Sequence, residues 1–446
     1  MKGMNKKFYR YCKIVFTLAA LFWTAACQNN APAPKAETTL EKTTPQQAAE
    51  TEQPIQLVYW HTLTGTASSA QDELAEAFNA SQSRIQVDSE FQGSFYSEIG
   101  TKLLAAYGSG NAPEVSQLGT YEVAPFVKAG ALVDLTPFIR SQDGLDIEDF
   151  PASILAAGEV DGGIYWLPFN IAVPLLYFNQ EAFDEAGITS PPQTWDEFFE
   201  TARKLTKRAE NGNTTRYGVA YWDISWPMLS AVWSQGGELM DKNSQLPTLN
   251  DPIIAETLKP FQDLIKEGAA IIPDKASGGH RAVFKNGKAA MIFDSPSPYA
   301  EIISQSVGFT PNVAPLPAGK KGKIYAPGAG GLVMLSTTPP EKRAAAWQFI
   351  KFMLSPKSLA EYCKKTGYIA YYPKAQKEMG EILQHPHYAT MYSAVPYVRW
   401  DFSLYRFPPA RDGFEEAWQK IFFDLADIPS TLEAANQKAL QQKNQQ

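Results

Sequence analysis

Apolar residues along this chain recur with two periods, and the switches between them mark the elements. Ile55 to Trp60 is a β-rich run. Ala70, Leu74, Ala77 and Phe78 then share one helical face behind Ser68 or Ser69, either of which can cap the helix, and Arg84 to Phe91 alternates as a second strand. A helix from Ser97 to Tyr107 presents Ile99, Leu103, Leu104 and Tyr107, stops at Gly108-Ser109-Gly110, and leads through Ala112-Pro113 into a short strand, Glu114 to Leu118. Strands that alternate with helices predict an α/β sheet, whose loops at the strand ends are the default place for a ligand.

The stretch Tyr165 to Gly187 breaks this rhythm. Leu167 to Tyr177 mixes Pro168 and Pro174 with apolar and β-branched residues, bracketed by Asn170 and Asn179, and a helix starts near Gln180. Two prolines remove two backbone donors, which disfavours a central strand interior and suits a hinge crossover between two lobes. The strand and helix pattern then restarts. Thr194 with Glu197 forms a capping box before Phe198, Ala202 and Leu205; a strand is expected around Tyr217 to Trp222, and helices over Met228 to Trp233 and Ile253 to Lys266. A strand at Ile292-Phe293 is expected to carry the chain back to the first lobe near Asp294. Farther on, Phe309 to Pro315 and Gly331 to Leu335 read as strands, and Glu341 to Leu354, Ser358 to Lys365 and Phe414 to Gln442 as helical. No repeat of solenoid length is visible.

At 446 residues, 44% hydrophobic and 20% charged, the chain is too long for one ordinary core, so two or three domains are expected. A net charge of -7, with no basic stripe, argues against nucleic-acid binding. Residues 1–26 read as a signal: Lys2, Lys6, Lys7, Arg10 and Lys13 precede an apolar core, Ile14 to Trp23, too short to span a membrane. Residues 27–54, rich in Ala, Pro, Thr, Gln and Glu, read as a flexible tether. The cysteines are Cys12, Cys27 and Cys363, so no disulfide framework exists once the signal is removed, and Cys363 reads as a buried small hydrophobe. Thr24-Ala25-Ala26-Cys27 resembles a bacterial lipoprotein signal, with lipid on Cys27; the alternative is an ordinary cleaved signal with an incidental Cys.

The run L-P-F-N, then P-L-L-Y-F-N and A-F-D-E-A-G, resembles the inter-lobe crossover of the extracellular solute-binding proteins that feed sugars and sugar-like solutes to ABC importers. Further pieces fit that family in order: Tyr59-Trp60-His61, Gly93 to Tyr96, Gly110 to Pro113, Pro192 to Glu197, Gly236-Gly237, Phe284 to Met291, Ala346 to Pro356, and Lys365 to Tyr368. Within it the chain is most similar to the glycerol-3-phosphate branch. The resemblance implies a periplasmic-binding-protein-like α/β fold of two lobes, residues 55–171 plus 294–328 and 172–293 plus 329–446, with a ligand cleft between them. It implies no cofactor, a monomer, docking on membrane permease subunits powered by a separate ATPase, and a place on the outer face of a membrane, in contact with the bilayer through Cys27.

Carried over by position, Tyr96, Glu122, Ser295, Gly328 and Tyr368 fall at ligand contacts of the glycerol-phosphate branch. Arg411 is the nearest match for a phosphate-reading arginine, with Arg406 as the fallback. Where that branch has Ser-Ser after P-F-N, this chain has Ile171-Ala172, which removes hydroxyl donors for a phosphate. A neutral sugar or polyol needs aromatic platforms and a few fixed polar groups instead. Trp60, Trp222, Trp226, Trp233, Tyr96 and Tyr368 are the candidate platforms, with core filling as the alternative for each. His61 is either a ligand donor or a structural residue. No H-E-x-x-H, G-x-S-x-G, P-loop or zinc spacing is present. Asp143, Asp146, Glu148 and Asp149 read as solvated surface, and His385 and His387 as an exposed turn around a Pro. No metal site and no catalysis are expected. A secreted carbohydrate-active enzyme, with two carboxylates facing each other across the cleft, and a non-transport receptor on the same fold stay open as alternatives.

Overall fold

The computed structural model describes residues 53–445. The expected signal segment, Cys27 and nearly all of the tether lie outside the described residues. Two five-stranded sheets organise the rest. The first contains β1 (Ile55–His61), β2 (Ile85–Phe91), β3 (Val115–Gly119), β4 (Leu167–Ala172) and β10 (Gly328–Met334), in the order β2-β1-β3-β10-β4. The second contains β5 (Leu175–Asn179), β6 (Val219–Ala220), β7 (Ala270–Ile271), β8 (Met291–Asp294) and β9 (Pro311–Ala314), in the order β7-β6-β8-β5-β9.

The sequence explains where the chain changes sheet. Pro168 sits on β4, an edge strand, where a missing N–H costs no ladder bond on the outer side, and β10 shifts register by a bulge between Gly330 and Gly331 opposite it. Pro174 falls between strands, so Val173-Pro174 is the crossover that the proline pattern predicts. On the far side, β5 is buried throughout and apolar up to its last residue, Asn179, as suits a strand flanked by β8 and β9.

The expected return near Asp294 is not observed. Asp294 pairs with Leu175, β9 pairs with the other edge of β5, and the chain rejoins the first sheet only at Gly328. Strands within 294–328 therefore belong with the second sheet, and the chain from 328 onward starts in the first, which reverses the expected assignment of 294–328 and of the segment from 329 through the helix ending at Thr366, but not that of the last two helices. The reason is partner choice: alternation predicts a strand but does not say which of two apolar sheets accepts it.

The C-terminal third divides again. The helices Pro340–Met353 and Pro356–Thr366 cover the first sheet, with the Phe349 ring 5.2 Å from Tyr59 and 5.3 Å from Phe78. The helices Pro408–Phe423 and Ile428–Lys443 cover the second, where Gln262 donates to the Ile421 and Ala426 carbonyls at 2.8 and 2.9 Å. Around Phe261, the rings of Trp195, Phe198 and Phe199 lie at 4.8 to 6.0 Å. Each such buried aromatic is worth roughly 1.5–3 kcal/mol of transfer. Thr194 caps its helix, with Glu197 N–H donating to Thr194 Oγ1 at 3.3 Å, while Glu197 Oε2 accepts from the Gln193 N–H at 2.7 Å, one residue before the position the capping box predicts.

Candidate functional site

Strand direction places the cleft. β1, β2 and β3 run parallel, so their carboxyl ends lie together, and β10 runs antiparallel to β3 and β4, bringing its first residues to that same end. In the second sheet β6 and β8 run parallel and β5 opposes β8. The residues after β6 and β8 therefore share an edge with the start of β5. Because β4 leads into β5 through two residues, these two ends face each other across the crossover.

On the first-sheet side, Tyr96 opens the helix Tyr96–Ser109 and its ring covers Gly330; a Cβ there would lie 2.4 Å from the Tyr96 hydroxyl, so the close approach requires glycine. Asn170 Nδ2 donates to Tyr96 Oη at 2.5 Å, Gln117 Nε2 donates to Asn170 Oδ1 at 2.7 Å, and the Thr62 N–H donates to Gln117 Oε1 at 3.0 Å. Three side chains from different elements thus lock one another's orientation. Burial pushes the Tyr96 hydroxyl well up. Beside it, Glu122 on the helix Thr120–Lys128 has its Oε2 buried without a hydrogen-bond partner. Burial raises the Glu122 carboxyl, and the Arg411 guanidinium pulls it the other way. An unpaired buried oxygen is a ready acceptor for a solute hydroxyl.

On the second-sheet side, the loop after β6 carries Trp222, and the helix Trp226–Gln235 begins with Trp226; both indoles are half-buried, 6.0 Å apart and edge to face. Trp226 Nε1 donates to the Ala326 carbonyl at 3.1 Å, and a Cβ on Gly328 would sit 3.0 Å from the Trp226 ring. Ser295 follows β8, its Oγ 2.8 Å from Ser297 Oγ, and the Tyr368 hydroxyl faces Ser297 and Asn170. A contact also links the two sides: Lys275 pairs with Asp223 at 2.8 Å and lies 5.3 Å from the ring centre of Phe95, the residue before Tyr96.

Tyr96, Glu122, Ser295, Gly328, Tyr368, Trp222 and Trp226 are therefore brought to the facing ends of the two sheets. Trp60 Nε1 and His61 Nε2 bond elsewhere, while His61 Nδ1 is buried without a hydrogen-bond partner. Trp60 Nε1 donates to Glu90 at 2.7 Å, and His61, fully buried, holds Asp72 with Nε2 at 2.9 Å while burial lowers its pKa. Tyr59 and His61 point to the helix-covered face of β1, so His61 fits the structural alternative. Arg411 stacks on Tyr121 at 4.5 Å and donates to Asp412 at 3.0 and 2.7 Å, and Arg406 is exposed. Sequence reasoning passed over Gln117, Asn170 and Asp294. Asn170, a lone amide in the apolar run L-P-F-N-I-A, was the available signal, since a buried amide must find partners. Asp146 and Asp149 both pair with Lys374, and Asp143 with Lys351, as solvated surface carboxylates do. His387 departs from the expected exposed turn: it is half-buried, with Nε2 3.0 Å from Asn312 Oδ1.

Two α/β lobes joined by crossovers, with polar and aromatic residues at their facing strand ends, define a solute receptor of the substrate-binding type. The chain belongs to the bacterial extracellular solute-binding protein family, whose model matches residues 61–360. It is 24% identical over 326 residues to the sn-glycerol-3-phosphate-binding periplasmic protein UgpB of Brucella abortus, covering 70% of this chain and 74% of that one. Its fold matches UgpB of Mycobacterium tuberculosis, solved in complex with glycerophosphocholine, with a TM-score of 0.78 and 24% identity over 88% of this chain and 99% of the other. The GacH receptor of Streptomyces glaucescens, solved unliganded and with acarbose, matches with a TM-score of 0.76 and 20% identity over 87% and 99% of the two chains. By family the chain is thus an extracellular solute-binding protein.

Proposed function

We propose that this chain captures a hydroxylated solute, a sugar or polyol in preference to a glycerol phosphate, between its two lobes and hands it to a membrane permease powered by a separate ATPase. The observation that carries the reading is the joint presence, at one cleft, of the locked Tyr96–Asn170–Gln117 network, the unpaired Glu122 oxygen and the Trp222–Trp226 pair. Aromatic faces suit the C–H face of a sugar ring, and fixed amide, phenol and carboxylate groups suit its hydroxyl rim. A phosphate dianion is served poorly. Arg411 already faces Glu122 and Asp412, and Ile171 and Ala172 are buried and apolar. Contacts drawn from both sides favour the closed form, and that differential affinity drives closure. Lipid on Cys27 would tether the receptor to the outer face of the membrane. The chain itself performs no catalysis in this reading.

The test is intrinsic tryptophan fluorescence and thermal shift against sugars, polyols, sn-glycerol 3-phosphate and glycerophosphodiesters, with product analysis in parallel. Tight binding of a neutral sugar without turnover is expected. Binding restricted to phosphorylated glycerols refutes the preference stated above, and turnover refutes the receptor reading.

A further inference from the structure

Asp294 ends β8 at the cleft and is fully buried. Its Oδ2 accepts from Arg281 Nε at 2.6 Å and lies 2.8 Å from His280 Nε2. Its Oδ1 accepts from Arg281 Nη2 at 2.9 Å and from the Ser295 N–H at 2.7 Å. His280 and Arg281 are successive residues of the helix Gly279–Lys285, which the chain enters through Gly278 and Gly279, both at positive φ. Both side chains also meet one indole. His280 stacks on Trp222 with ring centroids 5.1 Å apart and planes 25° apart, and the Arg281 guanidinium lies 5.6 Å from the Trp222 ring centre. Trp222 lies outside any strand or helix, so side-chain contacts of this kind are what fix it.

We propose that Asp294 is a positioning residue: through His280 and Arg281 it holds the Trp222 indole as a fixed platform for the apolar face of a cyclic solute such as a pyranose. The proposal rests on the reading of the cleft as the solute site. A platform ordered before the solute arrives does not have to be immobilised on binding, which favours ligands that present a ring face. An open-chain solute such as sn-glycerol 3-phosphate gains little from it. Arg281 and His280 in this arrangement are supports, each spending donors on the buried carboxylate.

The first test needs no ligand. Trp222 and Trp226 are close enough for their indole transitions to couple, so the far-ultraviolet circular dichroism of the full chain contains a couplet, isolated as its difference from Trp222→Phe. In Asp294→Asn that couplet is expected to collapse toward the Trp222→Phe spectrum; Arg281→Gln, which keeps Asp294, gives the same reading if the first variant does not fold. An unchanged couplet in a folded variant overturns the proposal, whatever the protein binds. The second test is calorimetry of the full chain with maltose and with sn-glycerol 3-phosphate. Maltose is expected to bind about tenfold more weakly to Asp294→Asn, with no further loss when Trp222→Phe is added. Additive losses, or an equal loss for the open-chain ligand, overturn it. If the unmutated chain binds no sugar at all, the sugar reading of the cleft fails by itself, and the couplet still decides whether Asp294 positions Trp222.

Discussion

Replacing Gly330 by alanine isolates the geometry of the first-sheet wall. The added Cβ would stand 2.4 Å from the Tyr96 hydroxyl oxygen and 2.6 Å from two of its ring carbons, against ordinary contacts of about 3.5–4.0 Å. One of the two residues must move by roughly 1 Å. Gly330 is held between β3 and β4, so the Tyr96 ring gives way and its 2.5 Å bond from Asn170 breaks. Overpacking costs about 1–3 kcal/mol, and the lost hydrogen bond adds about 1 kcal/mol. The sum, roughly 2–4 kcal/mol, is measurable by urea unfolding. Gly330 does not have positive φ, so without the clash an alanine should be neutral or stabilising by up to about 1 kcal/mol. The decisive measurement is therefore the cycle with Tyr96→Ala, in which Gly330→Ala is expected to lose its penalty. If Gly330→Ala is equally harmful in the Tyr96→Ala background, the damage comes from the β10 backbone and the account of Tyr96 is wrong.

Glu122→Gln should leave stability at neutral pH unchanged or raise it by about 1 kcal/mol, because it removes a buried charge whose Oε2 has no partner, while weakening solute binding in titration calorimetry. A large loss of stability would show that the carboxylate is structurally paired. Asp294 is held below the ordinary carboxylate range by Arg281 and His280 against the opposing effect of its burial. Its folded pKa is depressed, so its contribution is fully present above about pH 4 and is lost as pH falls toward the folded value; Asp294→Asn should flatten the acid limb of stability against pH. Lys275→Met removes the Asp223 ion pair and the cation over Phe95, and is expected to raise the solute off-rate two- to threefold, at about 0.5 kcal/mol, in stopped-flow fluorescence, with little effect on unfolding.

Periodicity and proline placement were enough to locate most strands and helices, and to see that two lobes meet near Val173-Pro174. Those signals are local: φ restriction, missing donors and side-chain alternation act within a few residues. The family likeness extended the reading to Tyr96, Glu122, Ser295, Gly328 and Tyr368, which the fold gathers at facing strand ends. Only the tertiary structure decided partner choice. It kept Asp294 and β9 in the second sheet, returned the chain to the first at Gly328, and divided the C-terminal helices between the two. It turned His61 to the helix-covered face of β1 and gave Trp60 to Glu90. It also joined Gln117 and Tyr96 to Asn170, which lies more than fifty residues from either, and set Arg281 and His280 against Trp222. Such contacts depend on which apolar surface buries which, a choice made among many segments of similar hydrophobicity, and no spacing along the chain encodes it.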